Sequence, residues 1–223
     1  MVIINNFNTG HYSRTIVADQ VYASDMEIYI PVMLSPSEKT DLIGFIHSFF
    51  DSLHPLPEAR ECLNAFSIKI AHGGLVTYWN SVNQAVSFLQ NFRKLLEAAF
   101  LISREDRGEF KREKTTKDNL VPTKILAKSR KMVDVLPYLP SSSDPQDSLD
   151  PIKNLRYLFA DTEPGKLLKI LNAWGDCTLS DCRPSLDLQR NLYLYDIIFH
   201  IILDSCHLIY VRSPKEKQNS LES

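Results

Sequence analysis

Between Arg104 and Lys131 the chain carries ten basic and five acidic residues, and residues 107–119 within it have almost no apolar side chains. By its pattern this stretch is predicted to be a solvated loop followed by a helix with a solvated face. Its net charge is +5; because the whole chain sums to −2, the other residues together hold −7. Charge gathered this way marks where an anionic partner, or the acidic part of a second copy, would be held. The candidate residues for that contact are Lys111, Arg112, Lys114, Lys117, Lys124, Lys128, Arg130 and Lys131. Residues 107–119 read as a loop. Residues 122–135 read as a helix that gathers Lys124, Lys128 and Lys131 on one side.

The rest of the chain has the means to build a core. Hydrophobic residues make up 44% and charged residues 23%, which predicts a globular protein rather than a disordered one. Only 7 of 223 residues are glycine, about half the usual ~7%. Glycine-rich phosphate loops are therefore scarce. The sequence also lacks G-x-S-x-G, G-x-x-x-x-G-K-[ST] and H-E-x-x-H. His72-Gly73-Gly74 is explained by a turn, and His11, His47 and His54 stand singly. No catalytic set and no cofactor is expected.

Cys62, Cys177, Cys182 and Cys206 are too sparse for a disulfide scaffold, and the opening residues MVIINNFNTG lack the layout of a secretory signal. An intracellular setting, cytoplasm or nucleus, is the expectation. Cys177 and Cys182 are four residues apart with no second pair at similar spacing, so they read as thiols rather than zinc ligands.

The longest apolar run, residues 192–211, contains Asp196, His200, Asp204 and His207. Two central carboxylates argue against a transmembrane segment. The spacing of four, four and three puts these groups on one helical face. Such a face can bond to a neighbouring helix, or Asp196, His200 and Asp204 can ligate a divalent metal with help from Cys206. Apolar residues fill most other directions of the helix. The first reading is therefore preferred, and no metal is expected.

Local signals organise the remainder. Alternating residues at 1–7, 12–17 and 26–34 predict strands, with Pro31 marking the last as an edge. Ser35-Pro36-Ser37-Glu38 is a helix start: an N-cap serine, a proline at the first position and a capping-box glutamate. Leu42, Phe45, Ile46, Phe49 and Leu53 continue it to His54-Pro55. Residues 65–71 (AFSIKIA) alternate like a strand before Gly73-Gly74. From about Tyr78 a long helix carries Val82, Ala85, Val86, Leu89, Phe92, Leu96 and Phe100 on one stripe, with Asn91, Arg93, Lys94 and Glu97 off it. Phe50 and Phe88 sit at stripe edges, where apolar surface would remain for a partner. Asp150-Pro151, Thr162 with Pro164, and Ser185 each open a further helix.

The fold class expected is α+β: N-terminal strands with two helices, then a mainly helical C-terminal half. The expected organisation is an α+β region at 1–136 ending in the basic loop and helix, a Pro/Ser-rich linker or long loop at 137–151, a helical region at 152–211 and a polar tail at 212–223.

In function, this pattern predicts a non-enzymatic assembly, adaptor or structural protein that self-associates or binds a protein partner. Viral matrix-like and accessory proteins share the profile with many subunits of cellular complexes. Nucleic-acid binding through Lys111–Lys131 is the alternative, and an anionic membrane surface would meet the same cations. A metal-dependent enzyme using the Asp196/His200/Asp204 face is the remote one.

Overall fold

Helix α1 (Pro36–Thr40) begins as its sequence requires. Ser35 Oγ accepts the Glu38 backbone N–H at 3.3 Å, and Glu38 Oε2 accepts the Ser35 N–H at 2.7 Å, closing the capping box. The helix stops at Asp41, whose carboxylate accepts the Gly44 N–H at 2.7 Å and starts α2 (Leu42–Ser48). Aspartate commonly competes with a helix in this way, offering the backbone a local acceptor. A wide π turn, Phe49–Leu53, follows, closed by the His54 N–H donating to Phe49 O at 2.7 Å. Pro55 disfavours helical geometry at His54, which ends the turn there.

In this computed structural model, residues 29–72, 82–105, 150–180 and 183–213 are described. Of these, 85% are helical and none lies in a strand. The remaining helices are α3 (Leu56–His72), α4 (Val82–Arg104), α5 (Pro151–Asp161), α6 (Pro164–Leu179), α7 (Leu186–Arg190) and α8 (Leu192–Arg212). The protein is therefore mainly helical, and the α+β expectation is corrected.

The expected strands at 1–7 and 12–17 lie outside the described residues. The described part of the third, residues 29–34, forms no strand; the backbone N–H groups of Val32, Met33 and Leu34 bond instead to a side chain of α4. The expected strand at 65–71 is the C-terminal part of α3. Leu56, Ala59, Cys62, Leu63, Phe66 and Ile70 are buried at helical spacing, while Ile68, the residue that made the alternation, is 51% exposed.

Residues Met1–Ile30 and Pro31–Ser223 cluster as two separate units. Within the second, α4 packs against α5 and α6, and α3 packs against α6 and α8. Helices before and after the Pro137–Pro151 stretch thus share one core. Rings from four helices run through it: Phe66 on α3, Phe88 and Phe92 on α4, Phe199 on α8 and Trp174 on α6. Successive centroids lie 5.1 to 6.0 Å apart. Aromatic pairs at such distances add about 0.5–1.5 kcal/mol each beyond burial. Gly175 permits the α4–α6 approach, since a Cβ there would sit 2.5 Å from Leu89 Cδ1.

Phe50 and Phe88 are both fully enclosed in this core, so neither leaves apolar surface for a partner. Ser185 caps only the short α7. Asn191 interrupts the chain between it and α8. By length and composition α8 is apolar enough to cross a membrane. In the fold it is a central helix, with Ile202–Tyr210 all buried.

Candidate functional site

The polar stripe of α8 is where chemically capable side chains converge among the described residues, and it lies against α3. The two helices run antiparallel with a register set by two polar contacts. Arg60 Nη2 donates to Asp204 Oδ1 at 2.7 Å, and Ser67 Oγ donates to Asp196 Oδ1. The α3 residues involved are seven apart and the α8 residues eight apart, two helical turns on each side.

Each member of the stripe has a defined partner. His200 Nδ1 lies 2.9 Å from the Asp196 carbonyl oxygen and 3.6 Å from Oδ1 of the same residue. His207 is enclosed, with its ring edge-on to Phe50 at 5.1 Å and tilted against Tyr210 at 5.6 Å. Burial pulls its pKa down to about 3; Asp204 opposes that shift and Arg60 reinforces it. Cys206 lies beside it, fully buried, and its thiol is pushed well above its ordinary range by desolvation. Cys62 on α3 is likewise raised to about 12 by burial, with Glu58 and Glu61 adding to the effect. Thiols held protonated in this way are poor nucleophiles and poor metal ligands.

The seam contains serine, aspartate and histidine, but not in a catalytic order. In a Ser–His–Asp relay the imidazole accepts the serine proton. Here Ser67 gives its hydrogen to the carboxylate, and His200 turns Nδ1 toward the main chain of its own helix. Asp196, His200 and Asp204 do not come together as a metal set. Among the described residues no group of three or more His, Cys, Asp or Glu could hold an ion. What this geometry does is fix the rotation and register of α8 against α3.

The end of α8 has a second polar joint. Tyr210 Oη donates to Asp51 Oδ1 at 2.7 Å, and His47 Nε2 lies 2.9 Å from the Ser213 carbonyl oxygen. His47, a lone histidine in sequence, thus caps the last turn. His54 is held between Phe49 and Phe88, 5.3 and 5.2 Å away, and its Nε2 accepts from Asn91 Nδ2 at 3.1 Å. Burial lowers its pKa to about 4, opposed by the Ser87 carbonyl.

One polar residue escaped the periodicity argument. Glu97, placed off the apolar stripe of α4, has no exposed surface. Its carboxylate accepts three consecutive backbone N–H groups: Val32 at 2.8 Å, Met33 at 2.8 Å and Leu34 at 3.0 Å. One turn earlier Lys94 Nζ reaches Glu38 Oε1 at 2.8 Å. Burial pushes the Glu38 carboxyl up, but Lys94 and the Ser35 contacts outweigh it and hold its pKa below the ordinary value. Together these groups clamp residues 32–38 onto α4. The signal in sequence was the run Leu95–Leu96–Glu97–Ala98–Ala99–Phe100, apolar on all sides of one carboxylate.

Glu97→Gln is expected to destabilise the protein by about 1–3 kcal/mol. The amide keeps one acceptor oxygen but turns a donor toward three donors. A urea midpoint equal to that of the parent would show that the clamp contributes nothing.

The eight cations singled out in the sequence, Lys111, Arg112, Lys114, Lys117, Lys124, Lys128, Arg130 and Lys131, lie outside the described residues. The point where the chain departs toward them is described. Arg156 on α5 donates from Nε to Ser103 O at 3.1 Å and from Nη2 to Glu105 O at 2.8 Å, satisfying carbonyls at the end of α4. Arg104 stands over the Phe100 ring at 5.3 Å. No family model matches the chain, and no curated protein or solved structure matches it either.

Proposed function

We propose that this protein is a helical scaffold that works through protein contacts and self-association, and that its basic stretch faces an anionic partner. The observation that carries the reading is the charge distribution: +5 between Arg104 and Lys131 against −7 elsewhere. A field so divided favours head-to-tail contact between copies, or contact with a separate acidic or phosphate-bearing surface.

The joints of α8 support a scaffold role. Arg60, Ser67, Asp196 and Asp204 spend their polar groups on holding helices together. The exposed Ile68, Leu179 and Leu186 add apolar surface that a second copy would cover. An intracellular setting goes with the buried, free thiols of Cys62 and Cys206.

Light scattering on the size-exclusion peak tests the reading. A mass above that of one chain, falling toward 25.5 kDa as salt is raised, is the expected result. A monomer at every salt concentration that is also not retained on an anionic matrix would remove it.

A further inference from the structure

Three of the chain's six histidines surround the π turn, Phe49–Leu53. Each ring of the turn meets an imidazole on a different flank. Phe49 lies 5.3 Å from His54, which stands edge-on to Phe88 of α4 at 5.2 Å. Phe50 lies 5.1 Å from His207 of α8 and 5.5 Å from Tyr210. His47 of α2 stands edge-on to Tyr210 at 5.0 Å, and Tyr210 Oη bonds back to Asp51 inside the turn. The segment is bounded by non-helical residues at both ends, Asp41 before α2 and His54 after the turn. Leu42–Leu53 can therefore move as one piece about those two points.

Both flanking imidazoles are held in settings that suit the neutral ring. His54 Nε2 accepts from Asn91 Nδ2 at 3.1 Å, so a proton on that nitrogen sets donor against donor. The Ser87 carbonyl, also from α4, bonds to the same ring. His207 is 2% exposed and faces Asp204 from its own helix and Arg60 from α3. Those two groups are already paired with each other at 2.7 Å. Asp51 of the turn and His47 of α2 reach this end of α8 through Tyr210. Burial lowers the His54 pKa to about 4 and the His207 pKa to about 3. Below pH 6.5 an opened turn accepts protons that the closed one refuses, so falling pH favours opening.

We propose that the π turn is an acid-operated latch, in which proton uptake by His54 and His207 releases Leu42–Leu53 from α4 and α8 and uncovers Phe49 and Phe50 while the packing of α4 on α6 persists. The latch uses no residue of the basic stretch and does not depend on the scaffold reading.

The test is hydrogen exchange of the full chain, read by mass spectrometry between about pH 7 and about pH 5 and corrected for intrinsic amide rates. Peptides covering residues 42–54 and the last turn of α8 are expected to lose protection roughly a hundredfold over that range, while α6 keeps its own. Asn91→Asp gives a protonated His54 an acceptor, and is expected to cut the loss to roughly tenfold; His207→Gln should do the same. Tyr210→Phe removes the bond to Asp51 without removing a titrating imidazole, so it should lower protection of the turn by a similar factor at every pH.

Protection lost equally from the turn and from α6 overturns the latch, because acid then acts on the whole fold. Constant protection of the turn overturns it too, as does a loss that Asn91→Asp and His207→Gln both leave unchanged. The parent protein alone separates local from global opening, so the test stands even where a variant does not fold.

Discussion

Asp204→Ala is expected to lower the unfolding free energy by about 3–5 kcal/mol, the usual effect of removing one member of a buried ion pair. Asp204 is only 4% exposed on its side chain, and Arg60 Nη2 donates to it at 2.7 Å. Deleting the carboxylate takes the 2.7 Å contact from a guanidinium whose side chain is only 13% exposed. The loss thus comes mainly from the charge left behind rather than from the attraction removed. Replacing both partners, Arg60→Met with Asp204→Leu, should recover most of that loss, because packed apolar groups of similar volume need no counter-charge. Chemical unfolding of the two single variants and the double variant gives the coupling directly. If Asp204→Ala costs under about 1 kcal/mol, the pair is screened as a surface pair would be, and the seam is not what registers α8.

Acid is the second strong perturbation. His54 and His207 are neutral in the fold, with pKa values lowered from 6.5 to about 4 and about 3 by burial. Above pH 6.5 neither state binds these protons and their contribution to stability is complete. As pH falls below 6.5 the unfolded chain takes up two protons that the fold refuses, so stability drops until the folded values are reached. Each group contributes a slope of about 1.4 kcal/mol per pH unit.

Between pH 6.5 and pH 4 the pair should remove roughly 5 kcal/mol, with the His54 share reduced because solvent reaches it more readily. That is a large part of the ~5–15 kcal/mol typical of a domain. Carboxylates such as Glu38, whose pKa is depressed, lose their own contribution in acid too, so the comparison must be made against variants. In His207→Gln the slope of stability against pH over this window should shrink by about 1.4 kcal/mol per unit. A slope identical to that of the parent would mean that His207 titrates normally.

Helix starts were legible because they are short-range. The capping box at Ser35 to Glu38, the Asp150-Pro151 start and proline at the first position of α6 all appear where their residues demand. Capping depends on three or four neighbours in the chain, and the sequence contains all of them. The polar stripe of α8 was legible as a stripe for the same reason: helical spacing alone puts Asp196, His200, Asp204 and His207 on one side.

What spacing could not show was the partner across the seam. Arg60 and Ser67 are 144 and 129 residues away from the groups they bond. The residues 65–71 were misread because a seven-residue window cannot separate Phe66, Ile68 and Ile70 alternating on a strand from a helix with one isoleucine outside. Extending the window back to Leu56 would have shown the buried face continuing. The candidate cations of the basic stretch lie outside the described residues, so their case rests on composition.

By itself the sequence determined the starts of α1, α5 and α6, the apolar face of α4 and where positive charge accumulates, since each depends on residues within a few positions. Only the tertiary structure decided that residues 65–71 complete a helix, that Glu97 is a buried acceptor for a distant segment, and that a serine, two aspartates and an arginine serve as joints. Those outcomes depend on desolvation and on hydrogen-bond partners brought from elsewhere in the chain, and folding is what brings them together.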